Sequence, residues 1–172
     1  MRPYQIFSDS SCDLPDNLLE EHQIKLIPFY VSFDQESYYK DNIDISKDEF
    51  YEIITQKKIY AKTSLPSVQD YIAMFRQALK EGNDILCLCL TQKFSGSYKS
   101  ALQAKNILEE QYPQSVISVI DSIQATAGQG ILLMQIAAMK AAGLTLEEVT
   151  HKANILKTTA RIMFTVNTLD YL

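Results

Sequence analysis

The sequence predicts an α/β fold: an open, doubly wound, mostly parallel sheet with helices on both faces. Three observations predict it. Strand-like and helix-like segments alternate along the chain. Hairpin signals are few. The run Asp84–Leu90 is short and almost continuously apolar, as expected of a strand covered on both sides.

Tyr4–Phe7 reads as the first strand and Ile24–Phe33 as the second, with Pro28 marking an edge or a bulge. Lys47–Lys57 reads as a helix. The next helix follows Pro66, with Val68, Tyr71, Ile72, Phe75 and Leu79 at helical spacing. After strand Asp84–Leu90 come a helix over Ser97–Gln111 and a strand over Val116–Ile120. Gln124–Ala142 reads as a long helix closed by Gly143. Thr145 and Glu148 form a capping box for the last helix, whose core face is Leu146, Val149, Ala153 and Leu156. A final strand is expected over Arg161–Val166. The apolar ending Asn167–Leu172, just after a strand, suggests that more protein should follow.

Composition narrows the function classes. The 172 residues are 47% hydrophobic and 22% charged, ordinary for one globular domain. A net charge of −5 argues against nucleic acid, whose phosphates call for a basic excess. No apolar run is long enough to span a bilayer; the best, Ile131–Ala142, is broken by Gln135 and Lys140. No secretory pattern precedes Ser8-Asp9-Ser10, so a cytoplasmic protein is expected. Cys12, Cys87 and Cys89 read as free thiols. Cys87 and Cys89 share one strand face and could form a metal pair, but their apolar setting favours two core cysteines.

In an open α/β sheet, ligands sit at the carboxyl ends of the strands. The loops there are Ser8–Ser11, Thr63–Ser67, Thr91–Ser97 and Asp121-Ser122. Two of them supply hydroxyls just before a helix, where unpaired N–H groups can hold a carboxylate or phosphate without a basic side chain. Gly96 lets a ligand approach the backbone, and Pro66 suits a first-turn position. Hydroxyls also serve as ordinary N-caps, and Ser67 with Asp70 reads as one. Asp9 could accept a metal or orient a hydroxyl, but is also a common turn residue. Gly128 and Gly130 are no dinucleotide fingerprint, because Leu133 stands where the third glycine belongs. His22 and His151 show no ligand spacing and adjoin no ligand loop.

Five ordered segments carry a family resemblance: Asp9-Ser10-Ser11-Cys12-Asp13-Leu14-Pro15, Thr63-Ser64-Leu65-Pro66-Ser67, Phe94-Ser95-Gly96-Ser97-Tyr98-Lys99-Ser100-Ala101, Val119-Ile120-Asp121-Ser122 and Phe164–Leu172. Together they resemble the DegV family. The resemblance implies residues 1–160 as an N-terminal lipid-binding domain and residues 161–172 as the start of a second domain, here cut short. It implies a long-chain fatty acid held by its carboxylate and presented to a separate fatty acid kinase, which makes an acyl phosphate for phospholipid synthesis. Thr63 and Ser95 would bind the carboxylate. Ser64, Gly96, Ser97, Asp9 and Ser10 would line the same end of the pocket. The kinase would supply the ATP chemistry, so no catalytic residue, metal or cofactor is expected here.

Phe94 and Ser97 replace the commoner Leu and Thr. The family's Arg and His near the carboxylate would both fall beyond Leu172. A lone domain would leave its groove open, hold lipid poorly and favour self-association through exposed apolar surface. Two other readings compete: a phosphotransferase or hydrolase with Ser95 as nucleophile and Asp9 as orienting acid, or a purely structural half.

Overall fold

The computed structural model describes residues 2–163 and 165. Four parallel strands form its central sheet: β1 (Tyr4–Asp9), β2 (Ile24–Ile27), β6 (Asp84–Cys89) and β7 (Ile117–Asp121), in the order β2-β1-β6-β7. β1 runs beside β6 with Tyr4 opposite Asp84 and Ser8 opposite Leu88. The helices are α1 (Asp16–Glu21), α2 (Lys47–Lys57), α3 (Val68–Lys80), α4 (Ser97–Gln111), α5 (Thr126–Ala141) and α6 (Leu146–Leu156).

Strand alternation sends side chains to two cores. Ile6, Leu86, Leu88 and Ile120 meet Leu19 of α1, Leu133 and Ile136 of α5, and Val149 and Ala153 of α6. Phe7, Ile85, Cys87, Cys89 and Ile117 meet Tyr71 and Phe75 of α3 and Ala101, Ala104 and Leu108 of α4. Both faces are covered, as the doubly wound class requires.

The Ile24–Phe33 segment is two strands, not one. β2 ends at Ile27, Pro28 and Phe29 intervene, and Tyr30–Ser32 becomes β3 of a separate antiparallel sheet. Proline cannot continue a ladder as a donor, so the chain leaves the parallel sheet there. β3 lies between β4 (Tyr39–Lys40) and β5 (Lys62–Ser64). This small sheet, α1 and the 3-10 turn Ser10–Cys12 were not anticipated.

The expected final strand is absent from Arg161–Met163 and Thr165; residues 164 and 166 lie outside the described residues, as do 167–172. Pro66 is not in the first turn of α3. The helix begins at Val68, Ser67 caps it through Asp70 N–H, and Pro66 is buried ahead of the cap. The Thr145–Glu148 box on α6 forms as expected.

Cys12, Cys87 and Cys89 are free and wholly buried, with Cys87 and Cys89 Sγ atoms 3.6 Å apart. Burial, above all, pushes the Cys12 and Cys89 thiols up. Since the thiolate is the nucleophile, native protein should resist a thiol reagent at mildly alkaline pH and expose three reactive thiols only on unfolding. Titration with a chromogenic disulfide checks this; rapid labelling of the folded protein would contradict the core assignment.

Candidate functional site

The strand order reverses between β1 and β6. The chain leaving β1 turns to α1 on one face, and the chain leaving β6 turns to α4 on the other. Diverging loops open a crevice at such a switch point. A groove of about 320 Å³ lies there, lined by Ser10, Ser11 and Leu90 from the two loops and by Phe29, Val31, Phe50, Tyr51 and Thr63 from the small sheet and α2. Its size falls within the range of small-molecule sites. Asp13, Asp41 and Lys47 also line it. The Asp13 carboxyl is pushed up, chiefly by loss of water; Lys47 opposes the shift and Asp41 adds to it.

A larger hollow of about 540 Å³ separates Phe33 and Tyr39 from α2, but Asp34, Asp44, Glu49 and Glu52 ring it against a single base, Lys57. The Asp34 carboxyl is held down to about 2 by the Ser37 and Glu36 backbone N–H groups. Those charges would repel an anionic head group, so the smaller groove is the better fit for one.

The expected site residues fall into three sets. Thr63 sits in β5 opposite Val31 of β3 and faces the groove with Ser10 and Ser11. Ser64, opposite Tyr30, and the half-buried Ser95 and Gly96 lie outside that lining but close by it. The two hydroxyl segments meet where Leu65 packs on Gly96: a Cβ at position 96 would stand 3.2 Å from Leu65 Cδ2. Asp9 and Ser97 are wholly buried and contribute no groove surface, unlike the lining role the resemblance implied.

Ser67 and Asp70 form the cap expected of them at the start of α3, where Ser67 Oγ takes the Asp70 N–H. The start of α4 has Gly96 as its N-cap, without a capping side chain, and Ser95 Oγ accepts from Ser97 N–H at 3.1 Å. Ser95 Oγ is thus an acceptor toward its own backbone, which leaves its proton to donate outward.

Asp9 is the buried centre behind the groove. Its Oδ2 accepts from Leu90 N–H at 2.9 Å and from Ser97 Oγ at 2.7 Å. Its Oδ1 accepts from Ser11 Oγ at 2.6 Å and from Gln129 Nε2 at 2.8 Å. Tyr71 OH lies 2.7 Å from Ser97 Oγ. Burial, above all, drives the Tyr71 phenol well above its ordinary range, with nearby Cys89 and Asp9 adding to the rise. Nothing local in the sequence marks Gln129, whose setting, Gly128-Gln129-Gly130, stands out only for its glycines.

A family model described as "Uncharacterised protein, DegV family" matches residues 3–172. A DegV domain-containing protein of Caldanaerobacter subterraneus is 33% identical over the whole chain, which spans 59% of that relative. The chain therefore belongs to the DegV family. Its fold matches a structure described as a fat acid (stearic acid)-binding protein from Eubacterium ventriosum, with TM-score 0.83 and 43% identity over 88% of this chain and 52% of that one. It also matches the Fatty Acid Kinase B3 protein of Streptococcus pneumoniae, solved loaded with linoleic acid, with TM-score 0.76 and 25% identity over 91% of this chain and 54% of that one. The chain thus spans little more than half the length of these relatives.

Among the described residues, no group of side chains is arranged to hold a metal ion, and no helix is long and apolar enough to cross a membrane.

Proposed function

We propose that this domain binds a long-chain fatty acid in the switch-point groove, its carboxylate held by Thr63 and Ser95, and presents it in the cytoplasm to a separate fatty acid kinase. The observation that carries the reading is the meeting of the two hydroxyl segments, at Leu65 and Gly96, beside a groove walled by Phe29, Val31, Phe50 and Leu90. The relatives described as fatty-acid-binding proteins support it.

The energetics divide the work between the two ends of the ligand. Each buried methylene contributes about 0.8 kcal/mol, so the tail supplies most of the affinity. The hydroxyls decide which end faces the entrance, where a kinase must reach the carboxylate. Neutral donors accommodate both a carboxylate and an acyl phosphate, whereas a tight bidentate Arg would hold the product more firmly. Residues 1–160 would form one wall of the full acyl site, with a second domain beginning near residue 161.

A hydrolase or phosphotransferase built on Ser95 needs a base within hydrogen-bond reach. Ser95 Oγ is instead engaged by Ser97 N–H, and Asp9 binds Ser97. His22 ends α1, and His151 lies exposed on α6. Among the described residues, neither histidine is hydrogen-bonded to Ser95.

Native mass spectrometry of the full-length protein, second domain included, purified from bacterial cells tests the proposal. One long-chain fatty acid per molecule is expected. A chain that stays free of lipid after incubation with excess fatty acid would overturn it.

A further inference from the structure

We infer that Asp9 is a positioning residue: a buried acceptor of four hydrogen bonds that sets the direction in which the head-group hydroxyls point. This rests on the carboxylate-binding reading of the groove. Asp9 is wholly buried, and among the described residues no cation pairs with it. Four neutral donors hold it instead, two on each oxygen.

The donors are distributed tellingly. Ser11 and Leu90 themselves line the groove. Ser97 is the next residue after Gly96, and its N–H holds Ser95 Oγ. Three of the four donors therefore belong to the two loops that shape the head-group end. The fourth, Gln129, braces the carboxylate from α5 and also donates to Ser8 Oγ at 3.0 Å.

Ser97 Oγ gives its proton to Asp9 Oδ2, and its lone pairs are left to take the Tyr71 proton. The sequence Tyr71 to Ser97 to Asp9 then has one polarity. With Ser97 locked at the first turn of α4, its N–H stays on Ser95 Oγ and the Ser95 proton stays free for a ligand oxygen. An amide in place of Asp9 would present an NH₂ group to donors on one side and break that polarity.

The test compares the wild type with Asp9→Asn, binding a long-chain fatty acid and the fatty alcohol of equal length. The alcohol keeps the tail and loses the charged head. Wild type should prefer the acid. Asp9→Asn should lose about tenfold or more in acid affinity, about 1.4 kcal/mol, while alcohol affinity stays within about twofold. Equal losses for both ligands would make Asp9 a support of the fold alone, and unchanged acid binding would remove any role; either overturns the inference. If Asp9→Asn does not fold, Ser97→Ala cuts the arm from Asp9 to α4, together with the Tyr71 bond behind it, and should give the same selective loss; a non-selective loss or none overturns the inference. A wild type that binds acid no better than alcohol would sink the carboxylate clamp itself, a failure distinct from that of Asp9.

Discussion

Replacing Thr63 and Ser95 together with alanine is expected to weaken fatty acid binding on the order of a hundredfold. A hydrogen bond to a charged group contributes about 1.5–3 kcal/mol, and two at the lower figure give about 3 kcal/mol. The fold should be unaffected. Thr63 is an exposed residue of a three-residue strand, and its strand pairing with Val31 is made by backbone groups that alanine retains. Ser95 Oγ accepts one hydrogen bond, from Ser97 N–H, whose loss costs about 0.5–2 kcal/mol as for other caps. Isothermal titration with a long-chain fatty acid, alongside thermal melts, separates the two effects. Equal affinities with equal melting temperatures would show that these hydroxyls do not hold the ligand.

Gly130→Ala should be the most damaging of the small substitutions. A Cβ there would stand 2.5 Å from the carbonyl oxygen of Cys12 and 3.1 Å from Leu14 Cδ2. That carbonyl ends the 3-10 turn Ser10–Cys12, so it cannot swing aside as a side chain would. Alanine would gain about 1 kcal/mol of helix propensity in α5. The forced separation of α5 from the turn costs about 1–3 kcal/mol or more, and outweighs that gain. A net loss of up to about 2 kcal/mol is expected, with a fall of about 2–4 °C in Tm per kcal/mol for a domain of this size. The same shift would displace Ser10 and Ser11 from the groove. Gly128→Ala is the comparison, since its Cβ meets a side-chain atom, Gln124 Oε1 at 3.0 Å, and no backbone. Urea denaturation of both variants decides it; a Gly130→Ala protein as stable as wild type would refute the contact.

These two predictions draw on different levels of the chain, and so did its legibility. Helices α3 and α6 were readable because their starts are set locally. Ser67 caps α3 through Asp70 and Thr145 caps α6 through Glu148, and apolar spacing marks the buried face of each. β6 was readable because a strand buried on both faces is almost continuously apolar, here from Ile85 to Cys89. The small sheet was not. Strands of two and three residues carry no period, and β5 joins β3 by pairing Thr63 with Val31 across more than thirty residues.

The site divides in the same way. Its hydroxyls lie in short motifs that sequence displays directly. Its apolar wall is assembled from Phe29, Val31 and Phe50, which come together only once Pro28 has turned the chain out of the parallel sheet. The bonds to Asp9 reach 81 residues to Leu90, 88 to Ser97 and 120 to Gln129. No local pattern announces partners so distant, which is why Asp9 read as a turn residue or a ligand and not as the hub it is.

A crystal structure of the protein with a bound long-chain fatty acid tests the central claim most directly. The account places the carboxylate within about 3 Å of both Thr63 Oγ1 and Ser95 Oγ, with the alkyl chain running against Phe29, Val31 and Leu90. A carboxylate found away from both hydroxyls, or an alkyl chain seated in the acidic hollow beside Phe33 and Tyr39, would contradict it.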